Sequence, residues 1–180
     1  MEAQDIEKKS HDLLFGVRRS VRYHNRRRMF FDRLHKITVS LSLIFGSATI
    51  SVALSQVDRI WISICAALVA VFGAVDLVFD APQSARTHND LAKRFIDLEK
   101  MIVVLPALSE ENIRNFTAKR LEIESDEPPV LRVLNIICHN ELMRAMGYAD
   151  TMLVKISWYK RFLCHFFDLN DASIKTTSQL

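Results

Sequence analysis

Four groups of side chains in this sequence could do chemistry. Cys138-His139 and Cys164-His165 each place a thiol beside an imidazole, the donor types of zinc sites and of cysteine nucleophiles. Neighbours on a helix point about 100° apart, so neither pair converges on one metal or sets a base on its own thiol. Cys138 reads as a small core residue. The third group is His139, Asn140 and Glu141, the most polar stretch of an otherwise apolar helix. It fits a solvated face bonded to Arg144, or a contact with the acidic turn Glu124, Asp126 and Glu127 or with a neighbouring subunit. The fourth is Asp76, a lone carboxylate inside an apolar run. The sequence has no phosphate-cradling glycine loop, no nucleophile elbow and no HExxH. No catalytic residue, metal or cofactor is expected, and the chain reads as a non-enzyme. Its three cysteines form no CxxC pair, which fits a reducing cytoplasm better than a disulfide framework.

The elements that would position Asp76 are two charge-poor stretches. Ile37–Val57 is 21 residues without a charge, and Ile60–Val75 is 16 more, extended past Asp76 to Phe79. About 20 helical residues span a bilayer core of about 30 Å. The link Ser55-Gln-Val-Asp-Arg59 is short enough to require an antiparallel hairpin. A soluble helix would show a polar face, and residues 37–57 offer only Ser, Thr and Gln. A signal peptide is disfavoured by the long basic segment before the first stretch and by the second stretch after it.

Charge is segregated along the chain rather than large overall: the net charge is +3, but residues 1–36 hold 10 Lys and Arg against 5 Asp and Glu. From Arg18 to Lys36 there are 8 basic residues, and the link holds only Arg59. Lys and Arg mark the cytoplasmic side of a span, so both termini are expected there. Arg22, Arg26, Arg27, Arg28, Arg33 and Lys36 would meet anionic headgroups, with Tyr23, Phe30 and Phe31 as interfacial anchors. Small residues recur within the stretches: Ser47, Ser51 and Ser55 on the first, Ala66, Ala70 and Gly73 on the second. They allow close backbone approach. They would serve either packing within one hairpin or packing between protomers around an opening. Counting outward from Asp58 sets Asp76 level with Ser40 and Asp80 level with Lys36. The acids would then pair with Lys36 or Arg33 and fix the register, or a ring of Asp76 would form a pore mouth.

The rest divides into a basic amphipathic helix over 1–36, a cytoplasmic helical region over 80–168 and a disordered tail over 169–180. Pro82 marks a kink or restart. Leu91, Phe95, Leu98, Ile102 and Leu105 follow a 4-3-4-3 spacing, a narrow seam suited to a bundle or to contacts between protomers. Pro106 stops that helix, Ser109 caps the next, and Pro128-Pro129 would open a third. That third helix buries Leu131, Leu134, Cys138, Leu142 and Ala145 and ends at Gly147. A last helix is expected over about 151–168, where Trp158, Tyr159, Phe162, Phe166 and Phe167 stand beside Lys155, Lys160 and Arg161. That composition fits a helix at a membrane surface as well as one buried in the bundle. The fold class is all-α: a two-helix transmembrane hairpin with a cytoplasmic helical bundle.

The assembled pattern resembles the SLATT family, the SMODS- and SLOG-associating two-transmembrane effector domains. The carriers are Arg22-Tyr-His-Asn-Arg-Arg-Arg-Met-Phe-Phe31, Ile44-Phe-Gly-Ser47, Asp76-Leu-Val-Phe-Asp80 and Ala85-Arg-Thr-His88, in that order and over almost the whole chain. The resemblance implies a homo-oligomeric, pore-forming or membrane-depolarising effector of antiviral defence by abortive infection. It would sit in a bacterial inner membrane of anionic headgroups and respond to a nucleotide-producing or nucleotide-sensing partner protein. The other reading of the same residues is a non-conducting membrane scaffold that recruits a soluble partner through its cytoplasmic helices.

Overall fold

The structure, a computed structural model, describes residues 2–55 and 58–169. Gln56 and Val57 of the expected first span lie outside the described residues, as does the expected tail from 170 onward. The described residues are all-helical: α1 Glu2–Leu54, α2 Arg59–Phe79, α3 Ala81–Val103, α4 Glu110–Ser125, α5 Arg132–Ala145, a 3-10 turn at Asp150–Met152 and α6 Trp158–Leu163. They fall into two compact units. One holds residues up to Arg26 together with those from Asn89 onward, and the other is Arg27–His88.

Two helical runs, Gln4–Leu54 and Arg59–Val103, are long and apolar enough to cross a membrane by length and composition, and hardly any residue of their apolar stretches is buried within the chain. Half-buried positions recur with helical spacing at Leu41, Phe45, Ala48 and Val52 on α1, and at Ile62, Cys65, Val69 and Phe72 on α2. Phe45 stacks on Phe72 with ring centroids 5.9 Å apart. The end of α2 is built by Asp80 in the left-handed region (φ 40), whose N–H donates to Leu77 O at 3.3 Å. Aspartate tolerates this conformation better than bulkier residues do. Helix α3 restarts at once, with Pro82 in its first turn, where a missing N–H costs nothing. Phe31, Ala81 and Ala85 form a small buried cluster there, with His88 stacked on Phe31 at 5.8 Å.

The other unit has two apolar clusters. Leu13 and Val17 of α1 pack with Leu91, Phe95, Leu98 and Ile102 of α3 and Ile123 of α4. Tyr23 packs with Val133, Leu134, Ile137 and Cys138 of α5 and with Cys164. Gly16 leaves room for the Arg120 side chain: a Cβ there would stand 2.6 Å from its guanidinium. Ser109 caps α4 as its type predicts, accepting from Asn112 N at 3.2 Å. Gly147 (φ +82) follows the end of α5.

Two expectations are corrected. Helix α5 begins at Arg132, so Pro128-Pro129 belongs to the connection and not to a first turn; the phenol oxygen of Tyr23 receives the Leu131 N–H at 3.0 Å just before that start. The continuous helix over about 151–168 is absent. Only the turn at Asp150–Met152 and the six residues of α6 are helical. The reason is a clamp: Asn140 donates to Val154 O (2.7 Å) and accepts from Val154 N (3.1 Å), using the backbone groups that a helix would need.

Cys138 is fully buried, and burial pushes its thiol up from about 9 to about 12, although the nearby Arg26 charge pulls the other way. The unfolded thiol ionises near pH 9 and the folded one does not. This contribution to stability is therefore complete below pH 9 and fades as pH rises toward 12. In iodoacetamide labelling at about pH 8.5, near the pKa of a free thiol, Cys138 and Cys164 should stay unmodified in the native protein and react fully in guanidinium. Native labelling of Cys138 at the rate of a free thiol, read by peptide mass mapping, would contradict this core.

Candidate functional site

Asp76 lies one turn from the end of α2 and is only partly covered. His35 Nδ1 stands 3.1 Å from both of its carboxylate oxygens. The Thr38 hydroxyl lies 3.1 Å from Asp76 Oδ1 and 2.9 Å from His35 O, and donates its one proton to one of them at a time. Beside this group is an open cavity of about 330 Å³, lined by Thr38, Val39, Ser42, Leu43, Phe72, Gly73 and Asp76. A carboxylate, an imidazole and a hydroxyl beside this recess can hold a cation. Among the described residues there is no group of three His, Cys, Asp or Glu able to hold a metal.

The expected partners of Asp76 were Lys36 or Arg33, and this is corrected. Residues one or two positions from His35 do not share its face of α1. Lys36 and Arg33 are exposed and have no ion-pair partner among the described residues. Sequence reasoning missed His35 and Thr38 because it counted levels from the link and ignored faces. The signal was there: 38, 41, 45, 48 and 52 form one helical row, and His35 extends it by one turn.

The small residues do not fill the contact between α1 and α2. Ser47, Ser51, Ser55, Ala66, Ala70 and Gly73 are all exposed. Ser47 donates to Leu43 O at 2.8 Å, Ser51 to Ser47 O at 3.1 Å and Ser55 to Val52 O at 3.0 Å. Of the other expected headgroup residues, Arg27 lies over the Phe31 ring at 4.5 Å, while Arg22 and Arg28 are half-covered. Arg26 is withdrawn from that role: it forms a two-pronged pair with Glu141, Nε to Oε2 at 3.1 Å and Nη2 to Oε1.

The expected protomer seam is also corrected. Leu91, Phe95, Leu98 and Ile102 are buried in the chain's own core, so their side chains are not free to face a second copy; Leu105 alone is exposed. The acidic turn is clamped from within as well. Glu124 accepts from Arg120 Nε at 2.6 Å, Asp126 from Arg94 at 2.6 Å, and Glu127 lies 3.2 Å from His24 Nε2. Among the described residues, no hydrogen bond or ion pair joins His139, Asn140 or Glu141 to this turn. His139 meets the Phe15 ring edge-on at 5.1 Å, Asn140 holds Val154, and Arg144 pairs with Asp150 at 3.2 Å. Burial, then the charge of Arg19, hold the His139 imidazole below its usual range.

His24 was not singled out from sequence. It is fully buried and stacks on Phe95 at 5.6 Å, linking the apolar core to the acidic turn. His24→Ala removes the ring from the core and strips Glu127 of a partner, and should cost about 2–4 kcal/mol. Asp126→Ala breaks a largely exposed pair and should cost under about 1 kcal/mol. Thermal unfolding of both variants in detergent checks this; equal losses would mean that burial does not rank these contacts.

The chain matches no protein-family model, no curated protein and no solved structure.

Proposed function

We propose that the chain is an oligomeric membrane effector. In this reading the apolar stretches of α1 and α2 form a transmembrane hairpin. The helices before and after it form a cytoplasmic bundle. Several copies surround an opening that depolarises a bacterial inner membrane in antiviral defence. The observation that carries the membrane part is the bareness of the two apolar stretches, which the chain itself leaves almost wholly uncovered. Exposed Arg33 and Lys36 at one edge support cytoplasmic termini. Assembly is supported by the exposed small residues on both helices, since one hairpin cannot enclose a channel. Asp76 with His35 and Thr38 would stand at the cytoplasmic mouth and favour cations. The defensive role, and a nucleotide-producing or nucleotide-sensing trigger, rest on the resemblance to the SLATT effectors.

A non-conducting scaffold is the second reading. It is favoured by a shallow, almost wholly apolar patch formed by Lys100, Met101, Val104, Leu105 and Phe116, where a soluble partner would dock.

Depolarisation on expression and ion flux from reconstituted vesicles separate the two readings. The effector should conduct, with a mass in detergent of several chains, and Asp76→Asn should lower its preference for cations over anions. A strict monomer removes the pore. Conduction with unchanged selectivity in Asp76→Asn removes the carboxylate from the mouth.

A further inference from the structure

The segment around α6 has two unlike sides. On one, Cys164 is buried, and Ile156 and Leu169 pack against the cluster around Tyr23 and Leu134. On the other, Trp158 is 80% exposed, Phe162 73% and Phe167 60%. Large aromatics so bare are not explained by the chain's own packing; Trp158 and Phe162, four apart on α6, share one face of it, and exposed aromatic surface of this kind marks an interaction site. The charges around it are mostly positive. Residues 151–169 hold Lys155, Lys160 and Arg161 and one acid, Asp168, so the net charge is 3 − 1 = +2. That acid is engaged elsewhere, accepting from Arg132 N at 3.0 Å.

We infer that this face docks on the surface of an anionic bilayer, with Trp158, Phe162 and Phe167 at the level of the acyl-chain boundary and the cations on lipid phosphates. Aromatics flanked by lysine and arginine on a short amphipathic segment fit a headgroup layer. There the rings meet hydrocarbon and the charged tips meet phosphate. The inference rests on the proposed membrane hairpin, which keeps a bilayer at hand. It adds a second attachment that does not cross the membrane. A protein partner is the competing occupant, and the test tells it apart.

The chain has two tryptophans, Trp61 and Trp158, so each can be read alone. The full chain is reconstituted in phosphatidylglycerol–phosphatidylcholine vesicles containing lipids brominated near the headgroup end of the acyl chain. In Trp61→Phe protein, Trp158 should lose more than half its emission to the brominated lipid and be shielded from aqueous acrylamide. Replacing Lys155, Lys160 and Arg161 together by Glu should restore acrylamide access. If Trp158 stays open to acrylamide while Trp61, read in Trp158→Phe protein, is quenched by lipid, the docking inference falls and the hairpin stands. If Trp158 is shielded from both quenchers, protein covers it and the inference falls likewise. If Trp61 escapes lipid quenching, the hairpin falls, and the docking inference falls with it.

Discussion

A helix bonds its own backbone, so what its side chains touch decides which medium it tolerates. On α1, Leu43, Ile44, Ile50 and Leu54 are each more than half exposed, and on α2 so are Ile60, Trp61, Val71, Leu77 and Val78. At about 25 cal/mol per Å² of apolar surface, water is a poor medium for such a face. The same chain buries apolar residues fully where it has partners for them: Phe95, Leu98, Leu134 and Val17 are almost inaccessible. The bareness of the two stretches is therefore not a general weakness of the core. It runs along the whole length of the residues that carry no charge, and everything proposed about location and assembly depends on what covers them.

The use of charge follows from the same division. Among residues 2–26 and 89–169, cations of α1 and α3 are matched to acids across the unit: Arg18 to Glu99 at 2.7 Å, Arg26 to Glu141, Arg94 to Asp126. The side chains of these pairs are 27% to 60% exposed, and each pair contributes little to stability. Their effect is to fix which helix faces which. His24 with Glu127 is the exception, because both side chains are nearly inaccessible. Closer to the apolar stretches the pattern changes, and Arg33 and Lys36 stand exposed without an acid among the described residues.

Much of the helical layout was legible because it rests on local rules. Ser109 caps α4, Pro106 follows the end of α3, Gly147 follows α5, and the long run without proline gives α1. What was not legible depended on contacts distant in sequence. Nothing local says that Asn140 will clamp Val154 and break a helix that periodicity allows. The 4-3-4-3 spacing of Leu91 to Leu105 correctly marked a buried face, but spacing alone does not say whether the cover comes from the same chain. Here Leu13 and Val17, about 80 residues away in sequence, provide it. For Asp76 the chemistry was legible and the partner was not, because a short link fixes which residues are level but not the rotation of either helix.

That rotation also bears on assembly. Where α1 meets α2, the contact is made by large side chains such as Phe45 and Phe72. Ser47, Ser51 and Ser55 on one helix, and Ala66, Ala70 and Gly73 on the other, lie on faces left open. Lipid tails are met as well by leucine as by alanine, so small residues facing lipid gain nothing from their size. Facing another helix, they let backbones approach closely, and dispersion contacts then accumulate. The three serine hydroxyls already donate to carbonyls of α1 itself. Such a face carries no unmet donor into hydrocarbon and still offers oxygen lone pairs to water. On the proposed reading, a surface of this kind can turn toward a neighbouring copy or toward a wet opening without changing its own hydrogen bonds, which is what an effector that must first insert and then assemble requires.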